Sequence, residues 1–345
     1  MSSFSVMITT KNRAVDLSRT LQVLRGLNPA PLEVLVTADG CTDETIQMLT
    51  SEKLKAEIGK AEEQKPEVRS QKSEDGGQEA GGEKAEGGKR NAESGELETS
   101  SRESGVGGVN AEKLNLKLIV NEVGKGSVAS RDRMMREARG DLVLALDDDS
   151  YPEQLNCLDL LAALFQLRPS LAIATFPQRT DEYPETLAQT DFGPERPVRS
   201  FPNSGAVLRR STYLELPGFE PKFFHMYEEP DYALQCVGAG YEVLYSPVIT
   251  VRHHYSGAAR SELRNHHRHA RNEFWGVLLR CPFPQCVGLA LYRLFSQFRY
   301  AGTRGISWVM REPVWWGQAV LGIPYCLRKR QAIPWARYKQ WLNLK

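Results

Sequence analysis

Residues 141–152 read Asp141-Leu142-Val143-Leu144-Ala145-Leu146-Asp147-Asp148-Asp149-Ser150-Tyr151-Pro152. The unbroken apolar run before Asp147 suits a strand buried on both faces of a parallel sheet. Three carboxylates follow at its C-terminal end, and in open α/β sheets ligands bind at the carboxyl ends of strands. Three adjacent acids repel one another unless a cation neutralises them, and hard oxygen ligands suit Mg²⁺ or Mn²⁺. The stretch therefore reads as a divalent-metal site able to hold a diphosphate. The plainer alternative is a solvated acidic turn before a helix, because Ser150 and Pro152 are good helix-start residues. The triad closes an apolar strand, and that favours the metal.

Working outward, Ser5 to Thr10 is a β-branched and apolar run followed by the turn-like Lys11-Asn12-Arg13. Leu17, Leu21 and Leu24 then recur at helical spacing. Glu33 to Ala38 reads as a second strand, ending in Asp39-Gly40-Cys41-Thr42-Asp43, with a helix from about Asp43. Later come a strand at Leu116–Val120, a helix at Ser127–Ala138, a helix from Glu153 to about Gln166 and a strand at Leu171–Phe176. Strands alternating with helices at this spacing predict an α/β fold with a mostly parallel central sheet. A Pro-rich stretch, a helix near Ser211–Leu216, another over Asp231–Ala239 and short strands at Tyr241–Tyr245 and Val248–Val251 follow. Between about residues 60 and 110 the chain is Glu, Lys, Gly, Ser and Gln with no aromatic residue. Such a segment cannot bury enough apolar area to offset its ordering entropy, so it reads as a disordered surface insertion.

The 345 residues carry a formal net charge of +1, so global charge points to no partner, and no nucleic acid is expected. Charge is unevenly spread: from Arg252 to Lys345 there are 16 Lys/Arg against 3 acids, which suggests an anionic partner for that part. This tail also carries Trp275, Trp308, Trp315, Trp316, Trp335 and Trp341, a mixture that suits interfacial helices at a membrane surface or helices closing over the site. A metal cluster at His266, His267 and His269 is disfavoured by Arg268 in their midst. The six cysteines show no CxxC pairing and read as reduced thiols of a cytoplasmic protein. The first residues run straight into a strand with no signal-peptide pattern, and no run reaches ~18 apolar residues.

Two further groups carry chemistry. Asp39 ends the second strand, where a carboxylate can accept from a base or ribose; before Gly40 it can equally close an Asx turn. Tyr227-Glu228-Glu229-Pro230-Asp231 opens a helix after the aromatic loop Phe223-Phe224-His225-Met226, and His253-His254 end a strand. One carboxylate as general base and one imidazole as metal ligand would complete a displacement site.

In this order the segments resemble an inverting family 2 glycosyltransferase of the GT-A fold, of bacterial type. The resemblance is carried by Val6–Arg13, Thr37–Asp43, Arg131-Asp132, Gly140-Asp141 through Leu146–Asp149, Asn203–Ala206, Gly218-Phe219, Glu228–Asp231 and His253, and covers about residues 4–256. It implies a nucleotide-sugar-binding, Rossmann-like catalytic domain over 1–256 and a basic, aromatic-rich helical extension over 257–345. It implies that Thr10 and Asp39 contact the nucleoside and that Arg131 lies near the nucleotide, with Asn12, Arg13 and Asp148 on the same donor surface. Asp147 and Asp149 become the Asp-x-Asp motif, Asp149 the direct ligand of Mg²⁺ or Mn²⁺, and His253 a further ligand. Glu229 falls where the family places its general base, with Glu228 as the competitor. The expected partners are a nucleoside-diphosphate sugar and a glycan or lipid-linked acceptor, as in polysaccharide assembly at the inner face of a membrane. Two departures stand out: Ala38-Asp39-Gly40-Cys41 replaces the common Asp-Asp-Gly-Ser, and the base position holds Glu in place of Asp.

Two other functions stay open at this stage. A sugar-phosphate nucleotidyltransferase would need a Gly-rich loop after the first strand, and Thr9–Arg13 contains no glycine. A non-catalytic nucleotide-sugar-binding protein would have no need of Asp147, Asp149, Glu229 and His253 together. The insertion supplies the first test. Limited proteolysis is expected to cut first between about residues 60 and 110, and a short Gly/Ser linker in its place should leave the melting temperature nearly unchanged. A large drop would mean that the segment packs.

Overall fold

The computed structural model describes residues 2–51, 114–255 and 261–345; the insertion expected at about 60–110 lies outside them. Strand β1 (Phe4–Thr10) leads through α1 (Ala14–Arg25) to β2 (Glu33–Asp39) and a helix α2 at 45–51. After the insertion come β3 (Leu116–Asn121), α3 (Ser127–Glu137) and β4 (Leu142–Asp147). Strands β3, β2, β1 and β4 lie side by side and parallel, with Val6 level with Val34 on one side and Leu144 on the other. Leu17, Leu21 and Leu24 of α1 are buried against this sheet, as their spacing requires. The chain moves from β1 outward to β2 and β3, then returns to place β4 on the other flank of β1. The carboxyl ends of β1 and β4 therefore flank the switch point where open α/β sheets bind ligands.

The second half departs from the simple alternation. Strand β9 (Ala206–Arg209) inserts antiparallel between β4 and β6 (Leu171–Thr175), and β10 (Glu242–Tyr245) continues the sheet to β8 (Arg196–Pro197). Four of the seven pairings in this eight-stranded sheet are parallel, so it is mostly parallel. The helix expected from Glu153 begins later, as α4 (Cys157–Leu167). Residues Ser150–Pro152 are instead a short strand, β5, recruited by antiparallel pairing with β11 (Val251–His253). Tertiary pairing has overridden the local helix-start signal. The strand expected at Val248–Val251 starts at Val251, because Pro247 offers no N–H to a ladder and opens a turn. Strand β7 (Gln178–Thr180) completes this small second sheet, and its register sets His253 level with Ser150.

Five C-terminal helices follow α5 (Arg210–Glu215) and α6 (Glu228–Ala239): α7 (Glu262–Arg280), α8 (Gln285–Arg304), α9 (Ile306–Val309), α10 (Glu312–Lys329) and α11 (Trp335–Leu342). Trp275, Leu278, Tyr338 and Trp341 share one apolar cluster with Met7, Val143 and Tyr232, so the tail and the sheet are packed as one body. Its polar fastening is buried too. The Arg280 guanidinium grips the Asp231 carboxylate through Nε at 2.9 Å and a second nitrogen at 3.0 Å, and Gln235 donates to the same carboxylate at 2.7 Å. The six cysteines are free thiols. Among the described residues, no helix is long and apolar enough to cross a membrane. Removing one partner of a buried pair leaves the other charge uncompensated, so Asp231→Ala should lower stability by about 3 kcal/mol or more in denaturant titration. A loss below about 1 kcal/mol would show that Arg280 finds other compensation.

Candidate active site

The turn from β4 to β5 and the end of β11 meet at the switch point. Ligand atoms of Asp147, Asp149 and His253 all lie within 4.8 Å of one another. Nδ1 of His253 is 3.2 Å from Oε1 of Gln178, whose amide nitrogen donates to Oγ of Ser204 at 2.8 Å. That relay places a proton on Nδ1. Nε2 lies 3.2 Å from Oδ1 of Asp149, a separation that suits a hydrogen bond from the protonated imidazole and equally two neighbouring ligands of one cation once Nε2 has lost its proton. The donor set of two carboxylates and one oriented imidazole fits Mg²⁺ or, with nitrogen present, Mn²⁺.

Two arginines hold the acids from behind. Arg13 sits 2.7 Å from Oδ2 of Asp149 and 3.4 Å from Asp148, while also pairing with Asp16. Burial works to raise the Asp149 pKa, but His253 and Arg13 overcome it and hold that carboxyl below the usual range. Arg131, itself buried, reaches Oδ1 of Asp147 at 2.5 Å and Oε1 of Glu228 at 3.1 Å. Asp148 turns inward, where Thr10 donates to it at 2.8 Å and burial pushes its carboxyl up to about 7 against the pull of Arg13. The middle acid, Thr10 and Arg13 thus form one fastened group.

The expected nucleoside contacts are likewise committed to the chain. Asp39 accepts from Asn121, from the Lys125 N–H and from the Gly126 N–H, each at 2.8 Å, and so holds the 121–126 loop. A nucleoside contact from Asp39 would share these oxygens, and none of the three partners is the nearby N–H that an Asx turn or helix cap would use. Asn12, in the left-handed region at φ 55°, exchanges two hydrogen bonds with Thr42. Arg13 and Asp148 face each other at 3.4 Å.

At the start of α6 the two glutamates diverge. Glu228 is buried and bound by Arg131, whereas Glu229 is half-buried and accepts from Nδ2 of Asn203 at 3.0 Å. Burial raises both carboxyls above their ordinary range, with Arg131 opposing. Asp231, the third acid, points inward to Arg280. Sequence reasoning assigned no role to Asn203, Gln178 or Asn272. Asn203 lay inside a quoted motif, but the other two gave no local signal.

Comparison with known proteins covers Arg131, the acidic triad and the two glutamates, but not β1, β2 or His253 in its family match. Residues 108–236 match the family model described as Glycosyl transferase family 2. The fold is similar to that of GalNAc-T7 in a crystal structure with UDP, GalNAc and Mn²⁺, at TM-score 0.54 and 13% identity over 82% of this chain. This chain spans about half of that one, 49%. It is also similar to S. aureus TarS residues 1–349 in complex with UDP-GlcNAc, at TM-score 0.52 and 14% identity, covering 97% of this chain and 82% of the other. No curated protein sequence matches the chain. Residues 108–236 thus resemble family 2 glycosyltransferases, and the fold is one shared with these structures.

Backbone strain lies beside the paired glutamates. Phe224, Met226 and Tyr227 all have positive φ, near 70°, a conformation that costs a non-glycine residue of order 1–3 kcal/mol. The surroundings enforce it. The buried amide of Asn272 on α7 donates to the carbonyls of Phe223, His225 and Met226 at 3.0, 3.0 and 2.8 Å, and Arg271 adds a bond to Phe223. From the other side Gly126, at φ +92°, lets the backbone approach so closely that a Cβ there would lie 2.2 Å from the Phe224 carbonyl oxygen. Asn272→Ala should therefore release the loop and lower turnover ~10-fold or more, with a smaller effect on donor KM. Wild-type turnover in this variant would show that the loop holds its shape unaided. The metal site has a separate test: Mn²⁺ should raise the melting temperature of the wild type, and Asp149→Asn should abolish that shift while keeping the metal-free melting temperature. An equal Mn²⁺ shift in the variant would place the ion elsewhere.

Proposed function

We propose that this glycosyltransferase moves a sugar from a nucleoside-diphosphate sugar to a hydroxyl of a glycan or lipid-linked acceptor, by single displacement with inversion, and that Mg²⁺ or Mn²⁺ serves it. The observation that carries the reading is the divergence of Glu228 and Glu229 beside the Asp147–Asp149–His253 cluster. The structures of similar fold with UDP-GlcNAc, or with UDP, GalNAc and Mn²⁺, support it.

A divalent ion held by Asp147, Asp149 and His253 would neutralise charge that builds on the departing diphosphate. Arg13 and Arg131 keep the first two ligands in place and Gln178 keeps the imidazole tautomer. Thr10, Asn12 and Asp39 shape the donor crevice by fixing the loops after β1 and β2, and the nucleotide lies along that crevice with Arg131 and Asp148 at its floor. Glu229 takes the proton from the acceptor hydroxyl as its oxygen attacks the anomeric carbon from the face opposite the diphosphate. Its pKa, raised by burial, favours proton capture. Asn203 aims the carboxylate. Glu228 is held by Arg131 and serves to position it.

The C-terminal helices present the membrane-facing part of the reading. Leu291, Phe295 and Phe298 on α8 and Val320 and Leu321 on α10 are exposed, with Arg299, Arg328 and Lys329 nearby in sequence. Apolar side chains flanked by cations suit an anionic lipid surface, with 257–345 resting on its cytoplasmic face.

Release of nucleoside diphosphate from a panel of sugar nucleotides with Mn²⁺ tests the activity. Glu229→Gln should lower turnover ~100-fold or more and leave donor affinity within about twofold, since a base acts in the transition state. Glu228→Gln should act mainly on stability, by leaving Arg131 half-paired. The reverse pattern would make Glu228 the base.

A further inference from the structure

The first turns of α7, the start of α10 and the loop before α6 line a cavity of about 630 Å³ outside the metal cluster and the paired glutamates. Arg264, Arg268 and Arg271 lie on one stripe of α7 at spacings of four and three, and Lys222 faces them across the cavity. Among the described residues, no carboxylate lines it. Arg264 makes no ion pair among the described residues, and Arg268 rests on the ring of Phe224, 4.8 Å from its centre. Like charges four apart on a helix destabilise it unless an anion compensates. Burial and the neighbouring arginine lower the pKa of both Arg268 and Arg271, the mark of cations crowded without a counter-charge.

We propose that this cavity binds the phosphate or diphosphate group of the acceptor. Guanidinium forks match phosphate oxygens in geometry as well as charge, and the volume suits a phosphate with the first groups attached to it. The location fits an acceptor subsite. Phe224 forms a wall, its carbonyl accepts from the Val128 N–H at the start of α3, and Glu229 follows five residues later, so the cavity and the base share one clamped loop. Val314 of α10 also lines the cavity, and the exposed Leu321 lies two turns on along the same face of that helix, a path for an apolar chain. Phosphate binding stands on the cavity alone, whereas its role for the acceptor rests on the proposed transfer reaction.

Calorimetric titration of the full chain with inorganic pyrophosphate, in EDTA so that no metal recruits it to Asp147 and Asp149, tests the site. The wild type should bind, the Arg264→Ala/Arg268→Ala double variant should bind ~10-fold or more weakly, and Asp149→Asn should match the wild type within about twofold. Lys222→Ala, on the opposite wall, should weaken binding in the same direction and does not depend on the folding of the double variant. Absence of binding in the wild type, or equal affinity in these variants, overturns the proposal. So does loss of binding to phosphatidylglycerol vesicles in the double variant when pyrophosphate is not bound by the wild type, because the arginines would then meet only a bilayer surface. Release of nucleoside diphosphate from the donor in water is read in parallel on the wild type. Its absence in the wild type would remove the transfer reading and leave the pyrophosphate result standing.

Discussion

Arg131 is the joint on which the site depends. One guanidinium, buried on α3, holds Asp147 at the end of β4 and Glu228 at the start of α6. These two elements are 81 residues apart and belong to different halves of the sheet. A buried cation with two anions has little freedom, because withdrawal of either acid leaves the guanidinium part-unpaired away from water. The distance between the metal cluster and the acidic helix is thereby set by one side chain. Glu229 inherits its position from this arrangement: with Glu228 bound inward, the next residue along the helix is turned about 100° away. The register of the two glutamates is in this sense decided by which of them meets Arg131.

The first half of the fold was legible in the sequence because it obeys simple periods. Leu17, Leu21 and Leu24 form a helical stripe, and the run before Asp147 marks a strand covered on both faces. What was not legible came from pairing between distant segments. Ser150–Pro152 carries helix-start residues, yet it pairs with Val251–His253 about 100 residues later, and nothing local announces that. The same pairing brings His253 to Asp149, so the ligand set could be named from the family resemblance and was built by a strand that sequence reading missed. Strand β9 escaped for the opposite reason. Ala206–Arg209 is too short to show a period, and its neighbours β4 and β6 alone define it.

The acidic triad also shows the limit of reading residue types without partners. Three adjacent carboxylates imply a neutralising cation, and the structure supplies two protein cations, Arg13 and Arg131, before any metal is considered. These do not compete with the metal for the same atoms. Arg13 takes Oδ2 of Asp149 and leaves Oδ1 toward His253; Arg131 takes Oδ1 of Asp147 and leaves its other oxygen. The guanidiniums thus act as outer-sphere braces, and the charge they supply lets the acids stand together when no ion is bound. Asp148 has no such division of labour. Turned toward Thr10 and Arg13 and raised to about 7 by burial, it belongs to the frame.

The positive-φ residues before α6 show why the C-terminal helices matter to a site they do not reach. Left-handed backbone at Phe224, Met226 and Tyr227 would relax in an unsupported loop, because each residue gains by returning to an ordinary region. Asn272 prevents this by donating to three carbonyls with one amide that has only two hydrogens, so at least one of these bonds is shared. Burial of that amide makes the arrangement all-or-none: a carbonyl that turned away would leave both itself and the donor without a partner in a place water does not enter. The Arg280–Asp231 pair secures the C-terminal end of α7 to the same helix that carries the glutamates. Helix α7 is thus tied to the site at its middle, through the loop before α6, and at its C-terminal end, through the first turn of α6. Packing of the tail and geometry of the glutamates are therefore a single structural problem, with α7 as its shared member.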